Sequence, residues 1–137
     1  MSGAGSFMTT PSPAMRARYI ADSVATASLA KLLLMLFDRL ILDLTRGEQA
    51  LLAGDRPEAN THLKHAQDIV TELHVSLNLD VWDGAAGLAA LYAFVETELV
   101  NANVRGDVAK VKGVRDLMEP LRDTWREAAL AVAAAEG

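Results

Sequence analysis

No cysteine occurs among the 137 residues. That absence excludes a disulfide framework and any cysteine-ligated metal centre, and it accords with a reducing compartment. Long hydrophobic runs are missing too. The longest, Leu32 to Phe37, is flanked by Lys31, Asp38, Arg39 and Asp43, so it is too short to span a bilayer. Arg16 and Arg18 are not followed by a long apolar segment ending at a small-residue cleavage site, so no secretory signal is expected. There is no basic run or stripe, and the net charge is −5. Such a chain repels a phosphate backbone, so nucleic acid is not an expected partner. The alternating pattern of β-strands is absent, as are the H-E-x-x-H, G-x-S-x-G and G-x-x-x-x-G-K-[ST] signatures. Neither catalysis nor a cofactor is expected.

What remains is strongly patterned. Hydrophobic residues make up 51% and charged residues 23%, which suits one folded domain with one core. Residues 1–14 are dominated by Gly, Ser, Thr and Pro and read as a flexible tail; residues 15–137 read as the single domain. A short amphipathic piece is expected over 15–25, with Tyr19, Ile20 and Val24 on one side. Four long helices are expected after it. The first runs from about Ser28, capped by Thr26 or Ser28, to about Ala53, with Gly54 as its stop. The second runs from Arg56 to Leu77, with Asp55 and Glu58 forming a capping box. The third runs from Gly84 to Val104. The fourth follows Gly106 with Asp107 as cap, and Pro120 is expected to kink or interrupt it.

Spacing carries these assignments. Ala59, Leu63, Ala66, Val70, Leu73 and Leu77 follow steps of four and three. So do Leu88, Tyr92, Val95, Leu99 and Ala102, and then Val111, Val114, Met118, Leu121, Trp125, Ala128 and Val132. Seams of this kind pack at shallow crossing angles, and short loops make sequence neighbours antiparallel. The expected architecture is an all-α antiparallel four-helix bundle with a short extra N-terminal helix or lid.

The first helix carries too much apolar surface. Leu29, Leu32, Leu33, Leu34, Met35, Leu36, Phe37, Leu40, Ile41, Leu42 and Leu44 cover nearly its whole circumference. A helix apolar on every side has to be buried on every side. Each large side chain left in water costs about 1.5–3 kcal/mol. The N-terminal piece, a second copy of the chain, or the amphipathic helix of another protein can supply the cover. Leu91 and Phe94 lie off the third seam and either broaden the core or widen that groove.

The histidines offer a sharper alternative. His62 and His65 stand one turn apart, with His74 further along. No other helix supplies a histidine, so a bundle metal site is not expected and the three read as solvated polar-face residues. His62-Leu63-Lys64-His65 also resembles a fragment of the His-x-Leu-Lys-Gly pattern of histidine phosphotransfer bundles. Here His65 stands where that family prefers Gly, and the spacing from His to Lys is one residue too short.

Several blocks, in order, resemble the flagellar export chaperone family that binds flagellin (FliS). They are Tyr19 to Val24; Thr26-Ala27-Ser28 with Met35-Leu36-Phe37-Asp38; Ala66 to Leu73 ending in Ser76-Leu77; Leu88-x-x-Leu91-Tyr92-x-Phe94 followed by Leu99 and Ala102-Asn103; and Leu121-Arg122 with Trp125. Leu29 replaces the family's usual Pro, Phe37 its Tyr and Arg39 its Gly, so the chain reads as a divergent member. The resemblance implies a cytoplasmic helical bundle. It would wrap the disordered C-terminal segment of flagellin, keep it from polymerising and help deliver it to the export gate. Contacts are then expected from Tyr19, Ile20 and Val24, from Leu29, Leu33, Phe37, Leu40, Ile41 and Leu44 on the first helix, and from Asn103. Asn101 and Asn103 have a plainer reading as caps of the third helix's last turn. A phosphotransfer bundle signalling through His62 and a merely dimerising helical protein are the alternatives.

Overall fold

The computed structural model describes residues 12–77 and 84–136; the side chains of residues 19–27 and 136 lie outside that description. Four helices follow one another: α1 Pro13–Leu52, α2 Arg56–Ser76, α3 Ala85–Arg105 and α4 Val108–Glu136. Packing joins α1 to α2, α2 to α3, α3 to α4 and α4 back to α1. The result is an all-α antiparallel four-helix bundle.

The first helix departs from expectation at its start. It is one uninterrupted helix of 40 residues, so residues 15–25 form its first turns and not a separate element. Its cap is Ser12, whose hydroxyl accepts from the Met15 amide at 3.2 Å, and Pro13 takes the first helical position, where its missing N–H costs nothing. The physical reason lies downstream. Leu29 stands where the related family usually carries Pro, and without Pro nothing pushes Ser28 out of helical geometry. Alanines at 14, 17, 21, 25, 27 and 30 then favour propagation.

The remaining ends follow the sequence closely. Gly54 and Gly106 adopt φ of 76° and 64°, the left-handed conformation that closes helices. The amides of Asp55 and Asp107 donate back to the carbonyls of Ala50 and Ala102. Asp55 caps α2 through the Glu58 amide at 3.1 Å. The reciprocal half of the box is missing, because the Glu58 carboxylate accepts from His62. Asp107 caps α4 through the Lys110 amide. Pro120 does not interrupt α4, which runs on to Glu136.

Among the described residues, fifteen side chains form the core cluster, led by Phe37, Leu40 and Leu44 of α1, Leu63, Val70 and Leu73 of α2, Tyr92, Val95 and Leu99 of α3, and Val111, Val114 and Met118 of α4. Gly47 brings α1 close against α2: a Cβ there would stand 2.7 Å from Leu63 Cδ2.

Candidate partner-binding surface

The fully apolar circumference of α1 divides into two faces. Phe37, Leu40 and Leu44 are completely buried in the core. They present nothing to a partner, which corrects their place among the expected contacts. The seam at 37, 40 and 44 is the helix's inner face, and a helix apolar all round does not reveal from sequence which face is inner. Leu33 and Ile41 pack half-buried against that core. The outer face shows Leu29, Leu32 and Met35, which are 57%, 52% and 59% exposed. Leu29 was among the sequence expectations; Leu32 and Met35 were missed, though both belong to the apolar set that drew attention to α1. The expected contacts Tyr19, Ile20 and Val24 lie in the stretch of α1 whose side chains are outside the described residues.

Beside Leu32, α1 and α4 enclose a groove of about 430 Å³ lined by Ser28, Lys31, Leu34, Arg126, Ala129, Leu130 and Ala133. Leu130 is largely exposed at its edge. Lys31 and Arg126 give its rim a positive character, with Arg126 lying 3.6 Å from Asp38. An apolar trough with an exposed leucine stripe alongside is a surface suited to an amphipathic helix.

Asn103 has a different task. Its side-chain amide donates to Asn60 at 2.8 Å, and its carbonyl, with that of Val104, accepts from the Arg56 guanidinium. The two open carbonyls at the end of α3 are thus capped from the first turn of α2. Gly106 leaves room for this, since a Cβ there would stand 2.6 Å from an Arg56 terminal nitrogen.

The histidines add carboxylate partners to the solvated reading: His65 is half exposed and His74 partly exposed, while His62 is largely covered. Asp43 on α1 is fully buried, and its Oδ2 contacts His65 Nδ1. His62 Nε2 pairs with Glu58 at 2.7 Å, and its Nδ1 lies 3.8 Å from Asp43 Oδ1. His74 pairs with Glu96 on α3. The available signal was Asp43 itself, one residue from Leu44 in the buried stripe, where a lone carboxylate demands a partner. A phosphoryl group on His62 would sit between two carboxylates, an unfavourable place for more negative charge. Among the described residues, no three or more His, Cys, Asp or Glu side chains are arranged to hold a metal ion. No described helix is long and apolar enough to cross a membrane.

Residues 11–132 match the family model described as flagellar protein FliS. The chain belongs to the FliS family. It is 31% identical over 110 residues to the flagellar secretion chaperone FliS of Bacillus subtilis (strain 168), covering 80% of this chain and 82% of that one. It is 32% identical over 113 residues to the protein of the same description in Escherichia coli (strain K12), covering 81% and 83%. A crystal structure described as a bacterial flagellar chaperone superposes with a TM-score of 0.71 at 23% identity, over 85% of this chain and 97% of the other. That likeness bears on the fold and agrees with the helical bundle. The FliS membership places the chain among flagellar secretion chaperones.

Proposed function

We propose that this chain is a cytoplasmic export chaperone that binds the C-terminal segment of flagellin along the outer face of α1, and that it acts by binding, without catalysis. The observation that carries this reading is the row Leu29, Leu32 and Met35, exposed on a helix whose inner face is already fully used by the core. Residues at i, i+3 and i+6 make one continuous stripe. The trough between α1 and α4 runs alongside it. Tyr19, Ile20 and Val24 extend the contact toward the start of α1 in this proposal, while Asn103 serves the bundle's own α2–α3 contact.

A flagellin tail outside the filament carries apolar stripes with no partner, and unpaired they self-associate. Laid on α1, those stripes are covered, and the bound tail stays monomeric until it reaches the export gate. Ordering a disordered segment costs roughly 2–5 kcal/mol or more, so the contact must bury a long apolar strip and not a single pocket. Calorimetric titration with a peptide copying a flagellin C-terminus tests this. One-to-one binding with a negative heat-capacity change that is lost in Met35→Glu supports the site; equal affinity in that variant moves the site elsewhere.

A further inference from the structure

Three methionines lie among the described residues, and the bundle treats them differently. Met118 of α4 is completely buried in the core. Met15 and Met35, both on α1, are exposed and stand about 30 Å apart along its axis. Of the three, only Met35 belongs to the row with Leu29 and Leu32, where a thioether takes the place of a third branched hydrocarbon. The difference is chemical. The two leucines are inert to mild oxidants, whereas the sulfur of an exposed methionine is open to attack on a peroxide.

The step balances with a hydroperoxide as oxidant. A lone pair on Met35 Sδ attacks the nearer peroxide oxygen and forms the S–O bond as the O–O bond breaks. With hydrogen peroxide the departing hydroxide takes the remaining proton and leaves as water. Sulfur is oxidised by two electrons and the peroxide is reduced by two. The product is methionine sulfoxide, a polar group on what was an apolar side chain. In the free chain its oxygen meets water, because Met35 is 59% exposed, and the fold loses no contact. Beneath a bound apolar helix the oxygen would have to give up its water and face side chains that donate no hydrogen bond. A polar group buried without a partner weakens the contact that buries it.

We infer that Met35 is an oxidation-sensitive contact on the outer face of α1: peroxide converts it to the sulfoxide in the empty chaperone and closes that face to its apolar partner, while a bound partner shields the sulfur. The inference rests on the reading that this face holds the flagellin tail. Access sets the order of events. Met118 is enclosed in the core beside Val111 and Val114 and is reached only when the bundle opens, so a mild dose of peroxide removes binding before it harms the fold. The change is reversible. Methionine sulfoxide reductase returns the sulfoxide to the thioether, with a dithiol supplying two electrons and the oxygen leaving as water.

Calorimetric titration of the full chain, before and after hydrogen peroxide, tests this with a flagellin C-terminal peptide whose own methionines are replaced by norleucine. Peptide mass mapping fixes the dose at which Met35 is fully oxidised and Met118 is untouched. The affinity of the treated chain is expected to fall at least about tenfold, with helicity and Tm unchanged, and to return after the reductase has acted. Peroxide is expected to leave the affinity of Met35→Leu at that variant's own starting value, and to weaken Met15→Leu as it weakens wild type. Peptide at about ten times its Kd is expected to slow sulfoxide formation at Met35 about tenfold, as the free fraction falls. Undiminished affinity with Met35 fully oxidised overturns the inference. So does an equal loss in treated Met35→Leu, or a Met35 that oxidises as fast in the complex as in the free chain. An untreated chain that binds no peptide overturns the flagellin reading itself, and this inference with it.

Discussion

Arg115 of α4 holds Glu48 of α1 through two hydrogen bonds, at 2.8 and 3.2 Å. The Glu48 hydrogen bond raises the guanidinium's pKa above its ordinary value, against a smaller opposing effect of burial. Paired, planar contacts of this kind are the ones that outlast solvent competition. A double-mutant cycle with Glu48→Gln and Arg115→Gln is expected to give a coupling of about 1 kcal/mol that declines as salt is added. Zero coupling at low salt would mean that the pair is ornamental to the α1–α4 packing.

Gly47 and Leu63 show how closely α1 and α2 approach. A methyl group at 47 would stand 2.7 Å from Leu63 Cδ2, and Leu63 is fully buried in the core. Gly→Ala inside a helix ordinarily stabilises by about 1 kcal/mol, whereas overpacking costs about 1–3 kcal/mol. Gly47→Ala is therefore expected to lower stability in urea unfolding. In a Leu63→Ala background the clash is gone, and the same substitution is expected to stabilise. A stabilising effect in both backgrounds would contradict the close approach.

Burial pushes the Tyr92 hydroxyl up to about 12 from its ordinary 10. The unfolded chain loses this proton first as pH rises. The Tyr92 contribution is therefore intact below pH 10 and is lost progressively as pH climbs from about 10 to about 12. The full loss is on the order of 2–3 kcal/mol. Tyr92→Phe, which removes the titrating group, is expected to flatten the stability profile across that window. An unchanged alkaline profile would show that Tyr92 ionises with little penalty.

Asp43 is the one fully buried charged residue among those described, and its Oδ1 has no hydrogen-bond donor. Removing His65 would leave that carboxylate with only the longer contacts to Arg39 and His62. Breaking a buried ionic contact from one side costs about 3–5 kcal/mol, while replacing both partners is far milder. Because His65 is itself half exposed, the lower end applies: His65→Ala is expected to cost about 3 kcal/mol in chemical denaturation, and Asp43→Leu with His65→Ala together clearly less. If the double variant is the less stable of the two, the buried carboxylate is a net asset to the fold.

Period and punctuation made most of the fold legible. The seams of α2, α3 and α4 are buried from Ala59 to Leu73, from Tyr92 to Ala102 and from Val111 to Met118, with Leu88 only partly buried, and Gly54, Asp55, Gly106 and Asp107 sit at the ends they were expected to mark. The start of α1 was not legible, because capping residues at 26 and 28 look the same whether or not a helix already runs through them. Only the missing proline at Leu29 distinguishes the cases. The surface was half legible. Excess apolar content pointed to α1, but Phe37 and Leu40 look no different in sequence from Leu32 and Met35. The choice between inner and outer face is made by where α2 and α4 pack.

The outer face of α1 is the proposed seat of a flagellin tail. The direct measurement is the affinity of the full chain for a flagellin C-terminal peptide, with Leu32→Glu and Met35→Glu set beside wild type. Saturable binding that falls at least about tenfold in each variant, with thermal stability unchanged because both side chains already face water, is the predicted result. Binding undiminished in both variants would contradict the account.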